Sequence, residues 1–160
     1  VKWLVIVCLL SSPARAETED TLAANGRVQA ILTAQDEVLV GALGSFGRRW
    51  DDRWQIAVDV GACVGDTGGH VFAVALFEAG MWLHPSDKID LELGLRAGYA
   101  YIHLGYGAQV NALALEPVVA INYKLGPRRA LRFEPFVMTA YHSGLTQAVF
   151  GPQVGYVWTL

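Results

Sequence analysis

Tyr141-His142-Ser143-Gly144 is where residue types alone point to covalent chemistry. A histidine beside a serine can take the hydroxyl proton and leave a strong oxygen nucleophile when a third group orients the ring. That orienting group is usually a carboxylate, and no Asp or Glu follows Glu134. In an extended segment, moreover, neighbours such as His142 and Ser143 project to opposite faces. An ordinary strand-to-loop junction explains the tetrad with fewer assumptions. The second group with chemical potential is charged: Asp59, Glu78, Asp90, Glu92, Glu116 and Glu134, with Arg96, Lys124 and Arg132. Brought together, they would form either an ion pathway or a network of buried ion pairs. His70, His84 and His103 lack metal-ligand spacing. The turn glycines lack the strand-to-helix context of a phosphate loop. The sequence therefore implies no metal or cofactor.

What positions these residues is a repeated alternation. In Ile89-Asp-Leu-Glu-Leu-Gly-Leu-Arg-Ala-Gly-Tyr-Ala-Tyr-Ile-His103, the odd-numbered positions from Ile89 to Tyr101 are apolar or aromatic and the even ones from Asp90 to Ala100 carry Asp90, Glu92 and Arg96 among small residues. A period of two is the mark of a strand. The same pattern runs through 54–65, 71–83, 113–124, 131–142 and 150–160, between turn-like clusters such as Gly126-Pro-Arg-Arg129 and Ser143-Gly144. The stretch 21–47 reads as two further strands around Gln35-Asp36, with a helix over 21–38 as the alternative. Gly26 and the Gly41-Ala-Leu-Gly44 run favour strands.

The alternation does not say which face is wet. Three features turn the apolar face to lipid. The polar faces are rich in glycine and alanine (Gly61, Gly80, Gly94, Gly98, Ala114, Gly155), which suits a cramped lumen better than a solvated sheet. Aromatic residues on the apolar faces gather near strand ends, as at a membrane–water boundary. The segments also exceed the length of ordinary soluble strands. A one-residue slip at 89–103 would push Arg96 into lipid at a cost of about 2–4 kcal/mol.

Composition agrees. The chain has 160 residues, 53% hydrophobic and 17% charged, too apolar for disorder and the size of one domain. Residues 1–16 read as a secretory signal peptide, with Lys2, a short apolar run and Ala14-Arg15-Ala16 as the cleavage site. Its removal leaves residues 17–160 with a clear acidic excess, which argues against nucleic acid as a partner. Cys8 leaves with the signal, and Cys63 is then a lone, buried thiol.

The whole pattern resembles the small bacterial outer-membrane β-barrels of the OmpA/OmpX transmembrane type. The C-terminal residues Val154, Tyr156, Trp158 and Leu160 resemble the signal read by the barrel assembly machinery, although that family usually ends in Phe or Trp. The resemblance implies an all-β, closed, antiparallel, up-and-down transmembrane β-barrel of eight strands, monomeric in the outer membrane of a Gram-negative cell. Its partners would be outer-membrane lipid and, during biogenesis, the assembly machinery. With the N-terminus periplasmic, outward loops fall near 35–36, 65–70, 105–111 and 143–147. All are short, which favours a structural or small surface-contact role without catalysis, the lumen filled by the charged residues above. Two alternatives remain open. Tyr141-His142-Ser143 slightly resembles the His-x-Ser region of outer-membrane lipid A deacylases, which implies a hydrolase using His142 and Ser143, though the spacing here is one residue short. A soluble periplasmic β-barrel binding an apolar ligand would reverse inside and outside.

Overall fold

The computed structural model describes residues 21–32, 38–51, 53–65, 69–104 and 107–159. The signal segment 1–16, the turn at Gln35-Asp36 and Leu160 lie outside them. Eight strands follow in chain order: β1 (Thr21–Leu32), β2 (Val38–Trp50), β3 (Trp54–Gly65), β4 (Val71–Ser86), β5 (Ile89–Leu104), β6 (Ala108–Gly126), β7 (Arg129–His142) and β8 (Leu145–Thr159). They close into one barrel in which each strand pairs antiparallel with its chain neighbour. β8 returns to β1, with Gly26 opposite Tyr156 and Val28 opposite Val154. Closure satisfies every edge, the condition for a sheet to stand in hydrocarbon.

Residues 21–32 are a strand, which overturns the helical alternative. The physical reason is alternation: Arg27 and Gln29 are buried while Val28 between them is exposed. The loop expected at 105–111 is shorter, because β6 already begins at Ala108. That at 143–147 shrinks to two residues, since His142 pairs with Leu145. Ser143 (φ 47°) and Gly144 (φ 84°) both take positive φ, as a tight two-residue hairpin turn requires.

The two faces separate cleanly. Val28, Val58, Leu93, Leu95, Leu113, Val119 and Val154 are among the exposed large apolar residues of the outer wall. Trp54, Tyr123 and Trp158 ring the end where the described chain termini lie; Tyr99 and Tyr141 mark the other. Inside, the filling is layered. From the middle to the end opposite the termini the lumen is apolar, built from Leu39, Leu43, Phe72, Leu76, Phe136 and Met138 with smaller neighbours. The middle is charged, and the terminal end opens into a polar vestibule. One inward glycine shows how tightly the wall closes. A Cβ on Gly94 would lie 2.7 Å from the Ala79 carbonyl oxygen and 2.9 Å from Gly80 Cα. The backbone of the neighbouring strand, more than a crowd of side chains, excludes anything larger there.

Candidate functional site

The charged layer is assembled from residues far apart in sequence, each delivered by the inward parity of its strand. Arg96 on β5 is its centre. Its Nε donates to Glu78 Oε2 at 2.5 Å and lies 2.6 Å from Asp59 Oδ2. Its Nη1 donates to Glu116 Oε1 at 2.6 Å, and it also pairs with Glu134. Arg27 on β1 reaches Asp59 Oδ1 at 2.8 Å and Glu134 Oε2 at 3.2 Å. Arg132 on β7 donates from Nε to Glu134 Oε2 at 2.8 Å and pairs with Glu92. The side chains of this cluster are all but sealed from solvent. Burying so many ions is favourable only if each finds partners, and here each guanidinium bridges at least two carboxylates. The planar fork of Arg suits that bridging better than a Lys ammonium would.

Neutral amides finish the layer. Gln55 Nε2 donates to Glu78 Oε1 at 2.8 Å and to Glu92 Oε1 at 3.3 Å, while its own Oε1 accepts from Trp82 Nε1 at 3.1 Å. Gln153 donates to Gln29 Oε1 at 2.9 Å. Gln29 in turn donates toward the buried Cys63 Sγ at 2.8 Å.

Two of the charged residues singled out in the sequence stand apart. Lys124 Nζ lies 2.8 Å from Asp90 Oδ1, with the lysine side chain 33% exposed. His84 Nδ1 is 2.6 Å from the same Asp90 oxygen. With Arg49, whose guanidinium lies 3.6 Å from the Trp82 ring centroid, they line the vestibule at the terminal end. Lys124 and Asp90 thus belong to the mouth and not to the sealed centre.

Sequence reasoning also missed members. Arg27 and Gln29 were hidden because residues 21–32 carry weak alternation, yet a charged residue next to Val28 was the available signal. The inward apolar layer was hidden in β4, where both faces are apolar and parity alone cannot choose.

At the opposite rim, His142 Nδ1 is 2.6 Å from the Asn111 carbonyl oxygen. A carbonyl only accepts, so Nδ1 carries the proton and Nε2 of the neutral ring is an acceptor. Ser143 Oγ lies 3.1 Å from that Nε2. The positive φ of Ser143 brings the adjacent side chains together, where extended backbone would have parted them. Among the described residues no group of three or more His, Cys, Asp or Glu could hold a metal ion.

The eight-stranded closed barrel is a fold found in solved outer-membrane proteins. Neisserial surface protein A aligns with a TM-score of 0.67 at 14% identity, covering 88% of this chain and 97% of that one. The N-terminal β-barrel domain of Pseudomonas aeruginosa OprF gives 0.62 at 13%, over 90% and 100%. The chain has the fold of a transmembrane outer-membrane β-barrel. A major outer membrane protein from Thermus thermophilus extends the likeness, with 0.59 at 9% identity over 89% and 100%. No protein-family model matches the sequence, and no curated relative does. What these barrels share with the chain is therefore the fold.

Proposed function

We propose that the mature chain is a small, monomeric integral protein of the bacterial outer membrane. It acts as a structural or surface-contact element of the envelope, without catalysis and with a lumen closed by its own side chains. The observation that carries this reading is the layered interior. Arg27, Arg96 and Arg132 tie five carboxylates across the barrel, and an apolar layer covers them toward the opposite end. A continuous file of water has no place in such a section, since eight strands leave room for side chains and little more. The termini face the periplasm, and the short turns opposite them face outward. Val154, Tyr156 and Trp158 present the outward row that the assembly machinery would read on β8, the strand that closes the barrel.

The test is fractionation together with conductance. Detergent-dependent extraction, heat-modifiable gel migration and no stable conductance steps in planar bilayers are expected. Extraction into aqueous buffer would favour the soluble periplasmic barrel, and discrete conductance steps would overturn the closed lumen.

The rim geometry supports one second reading, a lipid-acyl hydrolase. Ser143 would be the nucleophile and His142 the base, with the Asn111 carbonyl holding the ring in the reactive tautomer. A carbonyl orients the ring but cannot stabilise the imidazolium as a carboxylate does, which makes this the weaker of the two. Lipid A mass spectra from cells with the wild type, with Ser143→Ala and without the protein decide it. Identical spectra refute the hydrolase.

A further inference from the structure

The sealed layer sets five carboxyl groups against the three guanidinium groups of Arg27, Arg96 and Arg132. Fully ionised, it would bury an excess of negative charge out of reach of water, and a charge so placed neutralises where it can. The place is where two acids meet. Glu78 and Glu92 lie diagonally across β4 and β5, with the glycine pair Gly80 and Gly94 between them. Glu92 leans over that gap: its Oε1 would be 3.6 Å from a Cβ on Gly80, two residues along the inward row from Glu78. The two carboxyl groups are hydrogen-bonded to each other. An ionised carboxylate only accepts, so a bond between two of them requires a proton on one.

The surroundings hold the pair in this arrangement. The Trp82 indole N–H can only donate, which turns Gln55 so that its Oε1 faces Trp82 and its Nε2 faces the acids. That Nε2 donates to Oε1 of both Glu78 and Glu92. Each acid turns its other oxygen to a guanidinium, Glu78 Oε2 to Arg96 and Glu92 Oε2 to Arg132. The two Oε1 atoms therefore meet beside an amide donor, with no cation between them. Glu116 and Glu134 differ, because Arg96 Nη1 donates to both. Asp59 is the remaining acid near Glu78, joined to it through Arg96 Nε. On β8 the layer has the neutral Gln153, and Arg49 of β2 lies nearer the mouth, over Trp82.

We propose that the plug is locked by one bound proton shared between Glu78 and Glu92. The inference rests on the closed-lumen reading above and makes the strength of that closure depend on pH. The proton is kept when the barrel folds and passes to solvent as pH rises. Its loss sets two carboxylates against each other on the side of the layer that faces the vestibule, and the plug loosens there.

The experiment is infrared absorption of the folded protein in a detergent that has no carbonyl group, at about pH 6, above the ordinary carboxyl range of about 4. A neutral carboxylic acid has a C=O stretch apart from the carboxylate bands, and the wild type should show it. Glu78→Gln and Glu92→Gln should each remove the band, because an amide N–H then donates in place of the acid. Asp90→Asn, at the mouth, should leave it. Urea unfolding gives a second reading. A native state that keeps a proton the unfolded chain has released loses stability as pH rises, by about tenfold in the unfolding constant per pH unit. Either Gln substitution should flatten the dependence by about that factor between about pH 5.5 and 6.5. Heat-modifiable migration establishes that each variant is folded, and should neither fold, the wild-type band decides alone. No acid band in the folded wild type, or a band unchanged in the folded Gln variants, overturns the lock. A metal ion retained by the protein in place of the band overturns it too. Discrete conductance steps with the band intact would refute the closed lumen, a result distinct from these.

Discussion

Replacing Arg96 by Met tests the charged layer most directly. The substitution keeps most of the volume and removes the charge, so packing is nearly constant and electrostatics change. In the native barrel three guanidinium groups face Asp59, Glu78, Glu92, Glu116 and Glu134, an acidic excess already present. Arg96 alone touches four of those carboxylates, and its side chain is 0% exposed. Without it, Glu78 and Glu116 lose the guanidinium they share, while Asp59 and Glu134 keep Arg27. Breaking a buried pair by removing one partner costs about 3–5 kcal/mol. That is a large share of a typical domain's ~5–15 kcal/mol. The assay is reversible urea unfolding in lipid vesicles, followed by tryptophan fluorescence and heat-modifiable migration. Adding Glu116→Gln to Arg96→Met removes one stranded charge and should recover about 0.5–3 kcal/mol, the usual range for coupled neighbours. A loss below about 1 kcal/mol for Arg96→Met, the range of exposed ion pairs, would refute the reasoning. So would a double variant no better than the single one.

Other substitutions probe the wall and the two faces. Gly94→Ala should destabilise by about 1–3 kcal/mol through collision with the β4 backbone, whereas Gly44→Ala should be near neutral in the same urea titration. On β7, Phe136 is 1% exposed inside the apolar layer and Phe133 is 45% exposed on the outer wall. Phe136→Ala should cost about 3–5 kcal/mol by leaving a cavity. Phe133→Ala should cost less, because lipid refills the space, and unfolding midpoints in the reverse order would contradict the assignment of faces.

How far the sequence reaches depends on the range of the interaction that decides each feature. Alternation is local: the pleat sends successive side chains to opposite faces, so parity in 54–65, 89–103 and 113–124 already separates Asp59, Glu92, Arg96 and Glu116 from their apolar neighbours. Position of aromatics and small residues then said which face meets lipid. Where alternation is weak, as at Arg27 and Gln29, or where both faces are apolar, as at Phe72 and Leu76, the local signal fails. Pairing could not be read at all. Arg96 finds Asp59, Glu78, Glu116 and Glu134 only because register and strand tilt stack residues from five strands at one height, and register is set by the whole closed circuit. The same circuit placed Lys124 and Asp90 at the mouth and set Gly26 beside Gly44 on the outer wall. It also joined His142, Ser143 and Asn111 across a turn whose positive φ no periodicity announces. Sequence by itself determined the strand pattern and the sign of each face, because those are properties of consecutive residues. Only the closed barrel decided which charges meet, because that depends on residues up to 107 positions apart brought to the same depth.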